Sequence, residues 1–385
     1  MKVLSFLGVL FCATTVQGQQ LLYSPNIPIQ EIRISPKHAS GGLVQHNISD
    51  LQYLPISADK KADLIDYINA VQISNGTIAV LSNGNEKVSL MDNAGKITNT
   101  LKSTDFKLPQ IEPMQTLTPS SGGFILGLVH FAVKLNNQGQ HTIVDLPVVT
   151  NKADDSLKLN NTVWSFWQPK EKSSDLTALQ YNGQTVITYH KLNPYAISRD
   201  LDRNLSQPDM RHHSAFANFP NNYELFQLGE QGIQKVYKFI FPKDISVDTA
   251  LLYNIKDQIG FDKFMMENKE KLLGFNQILS YKDYLLLQLI TYGGDRSWIA
   301  VNTNNHEVLA FRNIMPDASN DYLPIIGWND YLLSDGEYLY SILYPNETGS
   351  AHNKSDEENH TMKKGHANLI KSKNPILVKF KLNSF

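Results

Sequence analysis

Two short segments of the chain bring together a backbone breaker, an aromatic ring and a guanidinium: Asn193-Pro-Tyr-Ala-Ile-Ser-Arg199 and Gly293-Gly-Asp-Arg-Ser-Trp298. Aromatic rings stack on sugar faces or apolar ligands, and arginine offers planar hydrogen-bond donors. This is recognition chemistry rather than bond-breaking chemistry. The ordinary alternative is that Trp298 begins a strand and packs in the core, while Arg296 pairs with Asp295 or with water. A third cluster, Asp209-Met-Arg-His-His213, holds the densest imidazoles. Adjacent residues on a strand point to opposite faces, so His212 and His213 share a metal only if they lie in a loop. Tyr195, Arg199, Arg211, His212, Asp295, Arg296 and Trp298 form the candidate ligand-binding set.

The motifs of common catalytic machinery are absent. The chain has no G-x-S-x-G, H-E-x-x-H, Walker A or G-x-G-x-x-G sequence. Asp200, Asp202 and Asn204 alternate as oxygen ligands would, yet lack the glycine and glutamate of a calcium loop. His352, His360 and His366 fit no tight zinc spacing and read as part of an exposed linker. No catalytic residue, metal or cofactor is therefore assigned. In Trp164-Ser-Phe-Trp167 one tryptophan is expected in the core and the other on a possible binding face. Trp328-Asn329-Asp330-Tyr331 admits either position, and core packing is the preferred reading.

Residues 1–18 set the expected compartment. Lys2 precedes an almost wholly apolar run from Val3 to Ala13, and Val16-Gln17-Gly18 offers small residues for cleavage. This order reads as a secretory signal peptide, with a mature start near Gln19. Cleavage there removes Cys12, the only cysteine. Bulky Phe11 before that cysteine argues against lipid attachment. A secreted chain without disulfides favours a bacterial envelope, either periplasm or cell surface. No later segment is long and apolar enough to read as a spanning helix. The formal net charge of -2 argues against nucleic acid as a partner.

The elements that must position these residues are strands. Asn75-Gly76, Asn83-Gly84, Asn182-Gly183 and Asp335-Gly336 are tight-hairpin dipeptides flanked by β-rich runs. A strand-then-polar-turn pattern recurs at Asp92-Asn-Ala-Gly95-Lys96 and Asn136-Asn-Gln-Gly139-Gln140. Weaker copies lie at 196–204, 225–234 and 299–308. Repetition of four-stranded antiparallel units predicts an all-β, six-bladed antiparallel β-propeller over residues 29–385, after an arm at 19–28. A short amphipathic helix is expected between Phe261 and Leu273. Residues 346–373 are expected to form an exposed polar excursion, partly helical, before a final strand from Ile376 to Leu382. Gln30-Glu-Ile-Arg-Ile34 alternates without a hairpin partner, so it is expected to close the last blade together with that final strand.

The segment Asn47-Ile-Ser-Asp-Leu-Gln-Tyr-Leu-Pro-Ile56 resembles an N-terminal stretch of the secreted six-bladed β-propeller proteins of Bacteroidetes. Asn374-Pro-Ile-Leu-Val-Lys-Phe-Lys-Leu382 is similar to their closing strand, and Leu332 to Tyr340 resembles their last hairpin. That family is related in fold to NHL and TolB-like propellers. The resemblance implies an envelope or outer-surface binding role and no defined reaction. The expected function is thus non-enzymatic recognition of a glycan, a peptide or an envelope protein by loops at one mouth of the propeller. The alternative is a propeller lyase or lactonase-like hydrolase with a dispersed site. Convergence of His190, Arg199, Arg211, His212 and Arg296 at one mouth favours the enzyme, and their dispersal favours the binder.

Overall fold

The structure is a computed structural model that describes residues 26–58, 65, 67–82, 84–120, 122–145, 155–159, 161–166, 175–190, 205–206, 214–219, 222–252, 254–371 and 374–384. Its strands form six small sheets, the blades of a six-bladed β-propeller. The chain first lays down β1 (Ile29–Arg33), β2 (Ser40–Leu43), a helical turn α1 (Val44–Asn47) and β3 (Ile48–Pro55). Blade 1 follows as β4 (Ile68–Ser74), β5 (Thr77–Ser82), β6 (Lys87–Met91) and β7 (Ile97–Lys102). Blade 2 is β8 (Thr116–Ser120), β9 (Gly123–Gly127), β10 (Phe131–Asn136) and β11 (His141–Asp145). Blade 3 is β12 (Asp155–Leu159), β13 (Thr162–Phe166), β14 (Asp175–Tyr181) and β15 (Gln184–His190). Blade 4 supplies β16 (Ala215–Asn218), β17 (Glu224–Gly229) and β18 (Gly232–Ile240). The helices α2 (Thr249–Leu252) and α3 (Gln258–Glu267) lead into blade 5, which is β19 (Leu272–Tyr281), β20 (Tyr284–Thr291), β21 (Arg296–Asn302) and β22 (Val308–Met315). Blade 6 is β23 (Leu332–Ser334), β24 (Leu339–Leu343) and, after α4 (Gly349–Glu357) and α5 (Lys364–Ile370), β25 (Ile376–Leu382).

The turns are built as their sequences dictate. Asn75 and Gly76 both adopt positive φ, 48° and 74°, which matches the right-handed twist of the strands they join. The loops at Asp92 and Asn136 are copies of each other. Asp92 Oδ1 accepts from the backbone N–H groups of Ala94 and Lys96 at 3.0 and 2.9 Å. Asn136 Oδ1 accepts from Gln138 and Gln140 at 3.0 and 2.9 Å. Asn302 repeats the device in blade 5, accepting from Asn304 at 2.9 Å. In each case a side-chain oxygen satisfies the turn between the third and fourth strands of a blade.

Blades pack face to face through apolar clusters. Leu81, Val88 and Leu90 of blade 1 meet Phe106, Phe124 and Leu126 around blade 2. Trp164 and Phe166 of blade 3 meet Phe226 of blade 4. Phe239 of blade 4 meets Phe275 and Leu287 of blade 5, and Leu286 and Trp298 of blade 5 share a cluster with Leu339 and Phe380 of blade 6. Tyr340 and Leu377 of blade 6 meet Ile78 and Val80 of blade 1. Both faces of a middle strand are thereby buried, so strands such as β20 read as continuous apolar runs rather than alternating ones.

Closure departs from the expected pairing. The partner of β25 is β3, antiparallel, with Ile376 opposite Pro55 and Leu382 opposite Ile48. Two of the three segments that carry the family resemblance, 47–56 and 374–382, are thus hydrogen-bonded to each other. The earlier strand, β1, instead adds in parallel to β18, with Ile32 opposite Phe239. Blade 4 has three strands of its own, and β1 covers the edge they leave open. The strand β2 does the same for β22 in blade 5. There Gly41 passes so close that a Cβ would lie 2.3 Å from the Cβ of Asn313. The N-terminal segment therefore edges three successive blades before the ring begins.

The helical expectations are refined in the same way. α3 stops at Asn268, whose side chain caps it by donating to the Phe264 carbonyl at 2.8 Å. Leu272 and Leu273 already belong to β19. Phe261 and Phe264 bury against Leu273, Ile290 and Tyr292 at the end of blade 5 where β19 begins and β20 ends.

Candidate functional site at the channel mouth

The inner strands β4, β8, β19 and β23 surround a central cavity of about 740 Å³, within the range of small-ligand clefts, roughly 300–1,000 Å³. Four of its apolar wall residues are turned away from it, while Ala70 and Leu279 stay half-buried in the wall. Val71, Ile278, Leu332 and Leu333 are each at most 8% exposed and belong to the interblade cores. Amide and hydroxyl chemistry reaches the cavity from Asn69, Gln72, Gln115, Thr116 and Gln277.

One loop dominates the mouth. Trp328-Asn329-Asp330-Tyr331 precedes β23, and all four residues line the cavity. Trp328 is 77% exposed, contrary to the core position its sequence favoured. The loop's main chain is nevertheless tied at two of its residues, Trp328 and Asp330. The Trp328 N–H donates to Oε1 of Glu347, and Oε2 of the same buried carboxylate accepts from the Tyr344 N–H at 2.5 Å. The Asp330 N–H donates to the Gly327 carbonyl at 3.0 Å. The Asp330 carbonyl accepts from the Trp298 indole at 2.7 Å and from the Gln288 amide at 3.4 Å. Tyr331 donates its hydroxyl to the Ile68 carbonyl of blade 1 at 3.0 Å. Gly327 is required here, because a Cβ would sit 2.6 Å from the Ile342 carbonyl oxygen and 2.7 Å from Glu347 Oε2.

Behind the loop lies a buried amide relay. Asn276, at the bulge of β19, donates to Gln288 Oε1 at 2.7 Å, and both side chains are 1% exposed. Asp330 has a perturbed carboxyl. Burial pushes it up to about 6, against the pull of the Arg296 guanidinium and with a further push from Glu347.

The sequence-derived set separates on this frame. Arg296 lines the cavity at the start of β21, and Asp295 is exposed in the turn before it. Trp298 is 2% exposed and packs between blades 5 and 6. It supports the mouth from behind and does not face it, the place its alternative reading gave it. Tyr195, Arg199, Arg211 and His212 lie outside the described residues, as do Trp167, Asp200, Asp202 and Asn204. Trp164 is fully buried, its indole donating to the Gly229 carbonyl at 3.0 Å. Sequence gave no way to rank Trp328 above Trp298. The one usable signal was that Trp328 stands beside Asn-Asp, residues that hold loops rather than strands.

The polar excursion is docked onto the ring. Asp321 is 0% exposed and accepts from His360 Nε2 at 2.6 Å, His366 Nδ1 at 2.7 Å and the Lys363 N–H at 3.0 Å. Burial raises the Asp321 carboxyl, but these bonds outweigh it and hold the carboxyl below its ordinary range. The His366 ring stands edge-on to Tyr53 of β3 at 5.2 Å. These histidines pin the α4–α5 segment instead of floating in a solvated linker, and Ala351 and Leu369 join the core. The segment that bears Asp321 continues into the Trp328 loop, so the excursion grips that stretch twice, at Asp321 and through Glu347.

No family model and no curated protein matches the chain. Among solved structures, the chain is similar to a protein of Bacteroides fragilis described as exported, with TM-score 0.60 and 11% identity, over 92% of this chain and 100% of that one. A member of the DUF4221 family from Bacteroides vulgatus matches with TM-score 0.47 and 10% identity, over 88% of this chain and 98% of that one. At such identities the likeness is one of fold.

Proposed function

We propose that this protein is an exported, non-catalytic propeller that recognises a ligand at the channel mouth around Trp328, in the periplasm or at the cell surface. The observation that carries the reading is a large aromatic side chain left exposed on a loop whose backbone is tied at Trp328 and at Asp330. Such a loop loses little entropy on binding, which is the benefit of preorganisation. The polar cavity beside it supplies directional hydrogen bonds, and Arg296 stands at its edge. The residue order of positions 1–18 supports export, and kinship with secreted Bacteroidetes propellers of NHL or TolB-like type belongs to the same proposal. Glycans, peptides and envelope proteins are the ligand classes this chemistry serves.

Screening the purified chain on glycan and peptide arrays, with Trp328→Ala and Arg199→Ala as parallel probes, tests this. A hit that Trp328→Ala abolishes at unchanged melting temperature supports the mouth as the site. A hit that Trp328→Ala retains sinks it, and turnover of the bound ligand sinks the non-catalytic reading.

A further inference from the structure

The channel mouth's chemistry narrows the ligand to one class. We infer that the site takes a neutral oligosaccharide, with a sugar ring stacked on Trp328 and its hydroxyls held by the amide side chains of the cavity. This rests on the mouth being the binding site and deepens that reading.

Three observations carry it. The first is the form of the aromatic surface. Trp328 is a flat, 77% exposed ring at the rim; it does not line a closed apolar pocket. A sugar ring needs one aromatic face for its C–H side, whereas an apolar peptide side chain needs enclosure to be desolvated. Val71, Ile278, Leu332 and Leu333 of the wall offer no enclosure because they are buried in the interblade cores, and the half-buried Ala70 and Leu279 form no closed pocket around Trp328.

The second is the kind of polar group. Asn69, Gln72, Gln115, Gln277 and Asn329 all reach the cavity. Each amide presents donors and an acceptor side by side. A vicinal pair of hydroxyls has the same dual character, so amides match it without charge.

The third is the charge count. Among the described lining residues, the ionisable carboxylate and guanidinium groups are Asp330 and Arg296, one of each sign. Their fields act on one another, so neither sign prevails at the mouth. An acidic polysaccharide or a basic peptide would meet no compensating excess charge there.

The test is isothermal titration of the full mature chain with neutral gluco-, manno- and galacto-configured tetrasaccharides, matched uronic-acid tetramers and a mixed-sequence tetrapeptide pool. Trp328→Ala and Asn329→Ala serve as site variants, each checked for an unchanged melting temperature. The expected result is binding of at least one neutral tetrasaccharide, weakened about thirtyfold by Trp328→Ala, the size expected for an aromatic anchor. Uronic-acid tetramers or peptides that bind as tightly, with the same loss in Trp328→Ala, would overturn the ligand class and leave the mouth standing. Neutral sugars that bind equally well to Trp328→Ala would overturn the mouth itself. Failure of every neutral sugar to bind overturns the inference.

Discussion

The indole N–H of Trp298 donates to the main-chain carbonyl of Asp330 at 2.7 Å, and this bond joins the interior of blade 5 to the loop that presents Trp328. The support residue and the exposed residue are thus two tryptophans with opposite roles. Trp298→Ala is expected to cost about 3–5 kcal/mol of stability, as large core truncations do. Trp298→Phe keeps most of the packing but leaves the carbonyl short of a donor, a loss of about 1 kcal/mol. Urea denaturation of both variants measures the difference. A Trp298→Phe variant as stable as the parent would mean that the hydrogen bond contributes nothing beyond the ring.

Asp330 makes the mouth sensitive to mild acid. Its folded carboxyl titrates at about 6, above the unfolded value near ~3.9. Between those values the folded chain holds more protons than the unfolded one, so stability falls as pH rises through this window. Above it the charged form persists at a cost on the order of 1 kcal/mol after solvent screening. Asp330→Asn should therefore be more stable than the parent at pH 7.5 and no more stable at pH 4. Thermal melts at the two pH values check the sign.

Asp321 behaves in the opposite sense. Its folded carboxyl lies below the ordinary range, so its contribution is full above pH ~4 and is lost as pH falls through the folded value. Asp321→Ala strips the shared acceptor from His360 and His366, and removing one partner of a buried pair costs about 3–5 kcal/mol. Hydrogen exchange should show faster labelling across α4 and α5, and also at Trp328, because the excursion grips that stretch too. Protection at Trp328 that stays at the parent level would separate the two grips.

Ring closure rests on β3 and β25. Removing residues 375–385 leaves β3 without its partner and takes Phe380 out of the core it shares with Leu339 and Tyr53 at the blade 5–6 boundary. The truncated chain is expected to lose its cooperative unfolding transition. A denaturation curve with the parent's midpoint and slope would show that closure is dispensable.

The fold was legible where chemistry is local. Asn75-Gly76, Asp92 and Asn136 announce their turns because the turn needs a positive φ or a side-chain acceptor, and few residues provide either. The resemblance segments also marked the closing pair, although only the structure shows that β3 and β25 bond to each other. Partner choice was not legible for Gln30–Ile34. Alternation declares a half-buried strand but carries no information about which edge it covers. The site was hidden for a related reason. Burial on both faces erases alternation around Trp298, while the exposure of Trp328 depends on Glu347, nineteen positions away, and no local pattern encodes such a tie.

The edging of three blades by residues 29–55 has a consequence for the order of assembly. As the polypeptide is made, β1, β2 and β3 emerge before the strands they pair with, and those mates, β18, β22 and β25, are the last of their blades. Blades 1 to 3 can form from neighbouring hairpins while that opening stretch waits with bare amide edges. Its docking is a sequence-distant step that bears the loop-closure penalty, and it comes after the hairpins are in place. A circular permutant that begins at β4 and ends with residues 29–55 joined behind β25 puts the waiting strands next to their mates in time. It should refold faster than the parent while reaching the same ring.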